Sequence, residues 1–171
     1  MSIDAQKRYI NQRTGKIKEN ILMQDADILP KRHRSFKSFK NSFGGVNYFE
    51  YKIKNYSIVI DIKYAFNHFV KNTYNEYRSN INATLLPTLT DPILIVRETK
   101  NNQEYLQFYK AFKNNNNLYH IIMFKAKKQE NGKYYFKTIF KADSLTKIER
   151  LIKALDINTV YFKFQAEGNG S

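Results

Sequence analysis

The chain has 171 residues, 42% of them hydrophobic and 15% aromatic, which suits one domain, with or without an appendage, around a sizeable core. Lys and Arg number 29 against 15 Asp and Glu, a net charge of +14 that attracts nucleic acid, an anionic surface or an acidic protein; a generally lysine-rich proteome is the competing explanation. The lack of cysteine excludes disulfides, thiolate catalysis and cysteine-ligated zinc. No apolar run reaches the roughly 18 residues of a membrane span, and the N-terminus lacks an apolar signal core. The expectation is therefore a protein made in the cytoplasm, with no membrane span.

Residues 1–45 read as a basic N-terminal extension, partly helical or flexible, in which Gly15 argues against one long helix between Ile10 and Met23. Within it, PKRHRSFKSFK (Pro30 to Lys40) carries no acid. Lys31, Arg32, Arg34 and Lys37 suit phosphate contacts while the interleaved Phe rings stack on bases; a solvated linker is the equal alternative. After Gly44-Gly45, VNYFEYKIK and SIVIDIKY predict a β-hairpin over about Val46 to Ile60, and Asp61 is placed to cap a following helix.

In that helix, Ile62, Ala65, Phe66, Phe69, Thr73 and Tyr77 recur at helical spacing and form one buried stripe. His68 lies roughly 140° from its centre, on a polar strip shared with Tyr64, Lys71, Asn75 and Arg78. Pro87 is expected to end the helical region. Strands follow at about Thr90 to Thr99, Glu104 to Phe112, Leu118 to Lys128 and Lys133 to Ala142, with a hairpin turn through Asn131-Gly132. A short helix begins at Ser144, and Thr159 to Gln165 closes as an edge strand. A helix followed by an antiparallel meander makes an α+β domain over residues 46–165, with residues 166–171 as a disordered tail.

Elimination narrows the chemistry. No Walker or GxGxxG pattern occurs, which sets NTP hydrolysis and dinucleotide binding aside. The tight acidic pair Asp25 and Asp27 stands alone, and His33, His68 and His120 lack metal-ligand spacing, so no metal or cofactor is expected. What remains is metal-free chemistry on a polyanion that carries its own nucleophile, the 2′-hydroxyl of RNA. His68 suits removal of that proton, and Arg78 or Lys71 suits holding the phosphate. His120 sits on an apolar strand face and reads as structural.

The order of these elements carries a resemblance. A hairpin (NYFEYKIKNYSIVIDI) leads into a helix with an outward histidine (YAFNHFVKN); LPTLTDP runs into a strand; then come EYLQFYKAF, LYHIIMFKAKK and YYFKTIFKA, with Thr138-Ile139-Phe140 as a T-x-F motif. Over about Val46 to Lys141 this resembles the phage-associated members of the barnase–EndoU–colicin–RelE-like (BECR) nucleases. The resemblance implies an α+β fold with helices packed on one face of a four- to five-stranded antiparallel sheet. It implies metal-independent cleavage of tRNA or other cellular RNA by a toxin domain, delivered by a larger system and restrained by an acidic immunity or antitoxin protein. It places His68 at the helix-histidine position and Thr138 where a hydroxyl binds the phosphate or the 2′-OH. By position alone it adds Tyr109 to the catalytic group and Lys141 to the nucleic-acid contacts. Such domains frequently carry a second helix histidine; here Tyr109 or Arg78 would be the second group. Two readings compete with it: a non-catalytic basic nucleic-acid-binding protein, and a basic protein that docks an acidic partner.

Overall fold

Strand β2 (Tyr48–Ile53) alternates exposed and half-buried residues, as an edge strand does, whereas β3 (Tyr56–Asp61) buries Ile58, Val59 and Ile60 in succession. They pair antiparallel with Ile53 opposite Tyr56, which leaves Lys54 and Asn55 as a two-residue turn. In the computed structural model, which describes residues 2–70, 76–116, 118–142, 144–155 and 157–163, this hairpin opens a sheet of eight strands.

Strands β4 (Leu94–Lys100), β5 (Gln103–Lys113), β6 (Tyr119–Lys128) and β7 (Tyr134–Lys141) form the expected meander. The β4–β5 turn is Asn101-Asn102, and both residues take positive φ, 52° and 61°, which asparagine tolerates better than other side chains. The sheet order is β2-β3-β7-β6-β5-β4-β8, with β8 (Thr159–Phe162) antiparallel to β4 and β1 (Asp27–Ile28) beside β5 beyond the end of β4.

The architecture is α+β, but the sheet corrects the expectation of four to five antiparallel strands with helices on one face. It is mixed, because β3 runs parallel to β7 and β1 parallel to β5. It is also covered on both faces. On one side α3 (Phe36–Ser42), α4 (Ile62–Val70) and α6 (Leu85–Thr90) contribute Phe39, Phe69 and Leu89 to a cluster with Ile60, Phe108 and Phe124. On the other, α1 (Ser2–Tyr9), α2 (Glu19–Asp25) and α7 (Thr146–Ala154) contribute Tyr9, Leu22 and Ile152 to a cluster with Tyr109, Ala111 and Met123. Central strands with no wet face follow: Leu106 to Phe112 are all buried, including Gln107 and Lys110.

Parts of the basic N-terminal segment pack into both layers. Tyr9, Ile10, Ile17 and Leu22 supply the second layer, and β1 joins the sheet. The FKSFKNSF pattern is an amphipathic helix and its flank, capped where Ser35 Oγ accepts from Ser38 N at 3.1 Å. Two of its three rings face inward, Phe39 fully buried against Phe43, Phe66 and Phe69, whereas Phe36 meets Phe66 at 5.5 Å and stays 36% exposed; Phe39 and Phe43 are therefore not open to base stacking. The basic side chains Lys31, Arg32, Arg34 and Lys37 stay exposed.

Asp61 caps α4 as the sequence suggests, its Oδ1 accepting from Tyr64 N at 3.1 Å, and Ile62, Ala65 and Phe69 form the buried stripe. Phe66, also expected in that stripe, is partly buried against the same core, while Thr73 lies outside the described residues, as do Lys71, Asn75, the tail 166–171 and the side chain of Tyr77. The helical region does not end at Pro87. It sits in the first turn of α6, where no helical N–H is needed, and the chain leaves the helix at Asp91.

The LPTLTDP stretch acts as a structural joint. Asp91 Oδ2 accepts from Lys110 Nζ at 2.8 Å and its Oδ1 lies 3.1 Å from Lys163 Nζ; Lys110 also meets Asp27 at 2.9 Å. Burial pushes the Asp91 carboxyl up, but the two lysines win and hold it below the usual carboxylate range. Asp25 is likewise paired, with Arg8 at 2.5 Å and 2.8 Å. The tightest acidic pair in the sequence is thus spent on cations of the scaffold.

Candidate active site

Helix α4 is amphipathic, so burying Phe69 turns its neighbour His68 to the rim of the sheet. There it meets β7. That strand carries a β-bulge: Ala126 pairs with Phe136 and Lys125 with Thr138, which leaves Lys137 as an extra residue. A bulge re-aims the side chains that follow it. Phe136 and Ile139, three residues apart, both enter the same core cluster, and between them the Thr138 hydroxyl comes to 3.0 Å from His68 Nε2. The third member arrives from α5 (Glu76–Asn80), tied to α4 where Ser79 Oγ donates to the Phe69 carbonyl at 3.4 Å. Arg78 Nη1 stands 3.1 Å from the same Nε2. Three residues separated by ten and seventy positions thus converge on one nitrogen.

The donor inventory assigns the proton. A guanidinium only donates, so Nε2 must accept from Arg78, and the Thr138 hydroxyl can donate to the same lone pair. This geometry suits a neutral His68 that carries its proton on Nδ1. Burial lowers its pKa, and the charge of Arg78 lowers it further, both away from the imidazolium. The half-buried ring is held edge-on by Phe136, with centroids 5.4 Å apart and planes at 80°. Tyr64, one helical turn before His68, stands edge-on to the same Phe136 at 6.0 Å. Arg78 Nε is buried without a hydrogen-bond partner among the described residues. A buried donor of this kind is satisfied once an anion arrives.

Basic residues border this cluster. Arg32 Nη1 donates to Asn80 Oδ1 at 3.2 Å, which brings the 31–37 segment beside α5. The segment is pinned by buried Asn82, whose amide donates to the His33 carbonyl at 2.9 Å and accepts from His33 N at 2.7 Å. His33 itself bonds Ser38 Oγ at 2.8 Å and is a structural residue.

Two residues expected in the site are elsewhere. Tyr109 faces the opposite layer of the sheet, because its neighbour Phe108 occupies the side on which α4 packs. It is buried, its hydroxyl donates to Gln107 Oε1 at 2.7 Å, and burial, then the charge of Glu98, pushes its pKa up. It cannot serve as the second acid–base group of His68. Lys141 lies three residues past Thr138 and lines a separate depression of about 600 Å³ with Glu19, Tyr119 and Ser144. It also depresses the pKa of His120, after burial has done so. Phe136, the ring beneath His68, escaped the sequence reading; the only signal for it is the alternation with Tyr134 along β7.

Among the described residues no group of three or more His, Asp or Glu is arranged to hold a metal ion, and no helix is long and apolar enough to cross a membrane. No protein-family model, curated protein or solved structure matches the chain.

Proposed function

We propose that this chain is a metal-independent endoribonuclease of BECR type, a toxin domain that cleaves tRNA or other cellular RNA. The observation that carries the reading is the convergence of Arg78 and Thr138 on a neutral His68 Nε2 at the rim of a strongly basic protein. Substrate exchanges partners with that cluster. The phosphate draws Arg78 away from His68, using the guanidinium's unpaired Nε as well, and the ribose 2′-OH takes the vacated place at Nε2.

His68 then accepts the 2′-OH proton as the oxygen attacks phosphorus. Arg78, with Thr138 as a further donor, balances the charge that builds on the non-bridging oxygens. The bond from phosphorus to the 5′-oxygen breaks, leaving a 2′,3′-cyclic phosphate and a 5′-hydroxyl. With Tyr109 on the far face, the 5′-oxygen takes its proton from water, and the His68 imidazolium returns its own to solvent. The exposed cations Lys31, Arg32, Arg34 and Lys37 guide the RNA backbone, and an acidic immunity or antitoxin protein would inhibit by covering the same face.

The second reading, a nucleic-acid-binding protein without catalysis, is favoured by one fact: Arg78 and Thr138 both stand within hydrogen-bond distance of the His68 Nε2 that a base would need free. Incubation with tRNA in EDTA separates the two. Cyclic phosphate ends support cleavage; intact RNA retarded on a gel supports binding alone.

A further inference from the structure

The proposed cleavage needs more than a phosphate site, because an RNA strand must be held in register over His68. Tyr64 is 54% exposed although its ring rests edge-on against buried Phe136, the ring that also supports His68. The two side chains project from the same side of α4, one turn apart. Beyond Tyr64 opens a depression of about 470 Å³, whose lining includes Phe36, Tyr48, Tyr64, Asn67, Lys40, Lys63 and Asp61. That size lies within the roughly 300–1,000 Å³ of small-molecule sites. Tyr48, on edge strand β2, is 65% exposed. The Asp61 carboxylate is engaged in capping α4, accepting from Tyr64 N at 3.1 Å, while two lysines set the charge of the rim.

We infer that Tyr64 and Asn67 form a nucleobase subsite of that same active centre, in which an unpaired base adjoining the scissile phosphate stacks on Tyr64 and presents its edge to the Asn67 amide. A ring fixed from below loses little freedom when a base covers its outer face, and an amide offers both a donor and an acceptor to a base edge. The ligand class is single-stranded RNA, since a base paired in a duplex cannot lie on the ring. The inference rests on the ribonuclease reading of His68, but its readout is binding rather than turnover.

The test titrates a fluorescein-labelled 2′-O-methyl hexaribonucleotide of mixed sequence, which cannot be cleaved, into wild type, Tyr64→Ala, Tyr64→Phe and Tyr64→Trp, read by anisotropy at low salt. Tyr64→Ala is expected to weaken binding roughly 5- to 150-fold, as for loss of one base–aromatic stack, while Phe and Trp keep it within about threefold of wild type. An abasic residue walked along the oligonucleotide should weaken wild type at one position and leave Tyr64→Ala unaffected there. Wild-type binding that Tyr64→Ala retains in full overturns the subsite and leaves the ribonuclease reading standing. No binding by wild type overturns both.

Discussion

Arg78→Ala separates a phosphate-holding group from a scaffold residue. Among the described residues, its guanidinium in the resting protein makes one hydrogen bond, to His68 Nε2 at 3.1 Å, and its Nε has no partner. Truncation therefore forfeits about 1.5–3 kcal/mol of charge-assisted hydrogen bonding, most of it offset by the roughly 1–3 kcal/mol gained when a buried, unsatisfied donor is removed. The melting temperature should move by no more than roughly 4 °C in a domain of this size. In the proposed cleavage the same group would face the charge building on phosphorus, where removing one such donor slows catalysis by about 100- to 1,000-fold. Arg78→Lys should recover little of this, because an ammonium lacks the planar fork that grips two phosphate oxygens. The assay is single-turnover cleavage of tRNA in EDTA at saturating enzyme, beside a thermal melt. A rate within about threefold of wild type, or a loss matched by unfolding, would refute the reasoning.

Three further outcomes follow from the packing and the titrations. Phe39→Ala should destabilise the fold by about 3–5 kcal/mol, since the ring is fully buried among three others, yet leave RNA affinity unchanged below the melting transition; a stable variant with weakened RNA binding would return this ring to the surface. Tyr109→Phe should leave cleavage intact and destabilise by about 1 kcal/mol through the unpaired Gln107 carbonyl, measured by urea denaturation and turnover together; lost activity in a folded variant would put Tyr109 back in the site. Folding should weaken as pH drops below about 6.5, because burial depresses the pKa of His33, His68 and His120 in the folded state only. Between the depressed folded value and 6.5 the unfolded chain binds more protons, so stability present above that window is lost on acidification through it. A urea midpoint that is flat or rising from pH 7.5 to 5.5 would contradict this.

Local signals carried much of the fold. Alternation marked the hairpin and the meander, and Asp61 announced the start of α4, because a pleated strand and a helix cap are properties of a few adjacent residues. Helical spacing also set His68 apart from the stripe of Ile62, Ala65 and Phe69. Thr138 was singled out by resemblance, and nothing local shows that a bulge at Lys137 brings its hydroxyl to His68. The parallel pairing of Ile58 with Tyr134 was invisible because it joins segments distant in sequence, and each strand's own pattern permits many partners. Tyr109 misled for a chemical reason. A tyrosine in alternation with Leu106 and Phe108 reads as the wet face, yet here α1, α2 and α7 cover that face and Gln107 satisfies its hydroxyl. The basic character of residues 30–40 likewise hid a helix that buries Phe39 in the core.

The central claim is that His68 Nε2, held between Thr138 and Arg78, is the base of an RNA-cleaving site. Its most direct test compares wild type with His68→Ala on total tRNA in EDTA, mapping the termini and checking both proteins by circular dichroism. The account predicts 2′,3′-cyclic phosphate and 5′-hydroxyl ends with wild type, and intact RNA with a variant that folds normally. Equal cleavage by His68→Ala, or wild-type protein that binds tRNA and never cuts it, would contradict it.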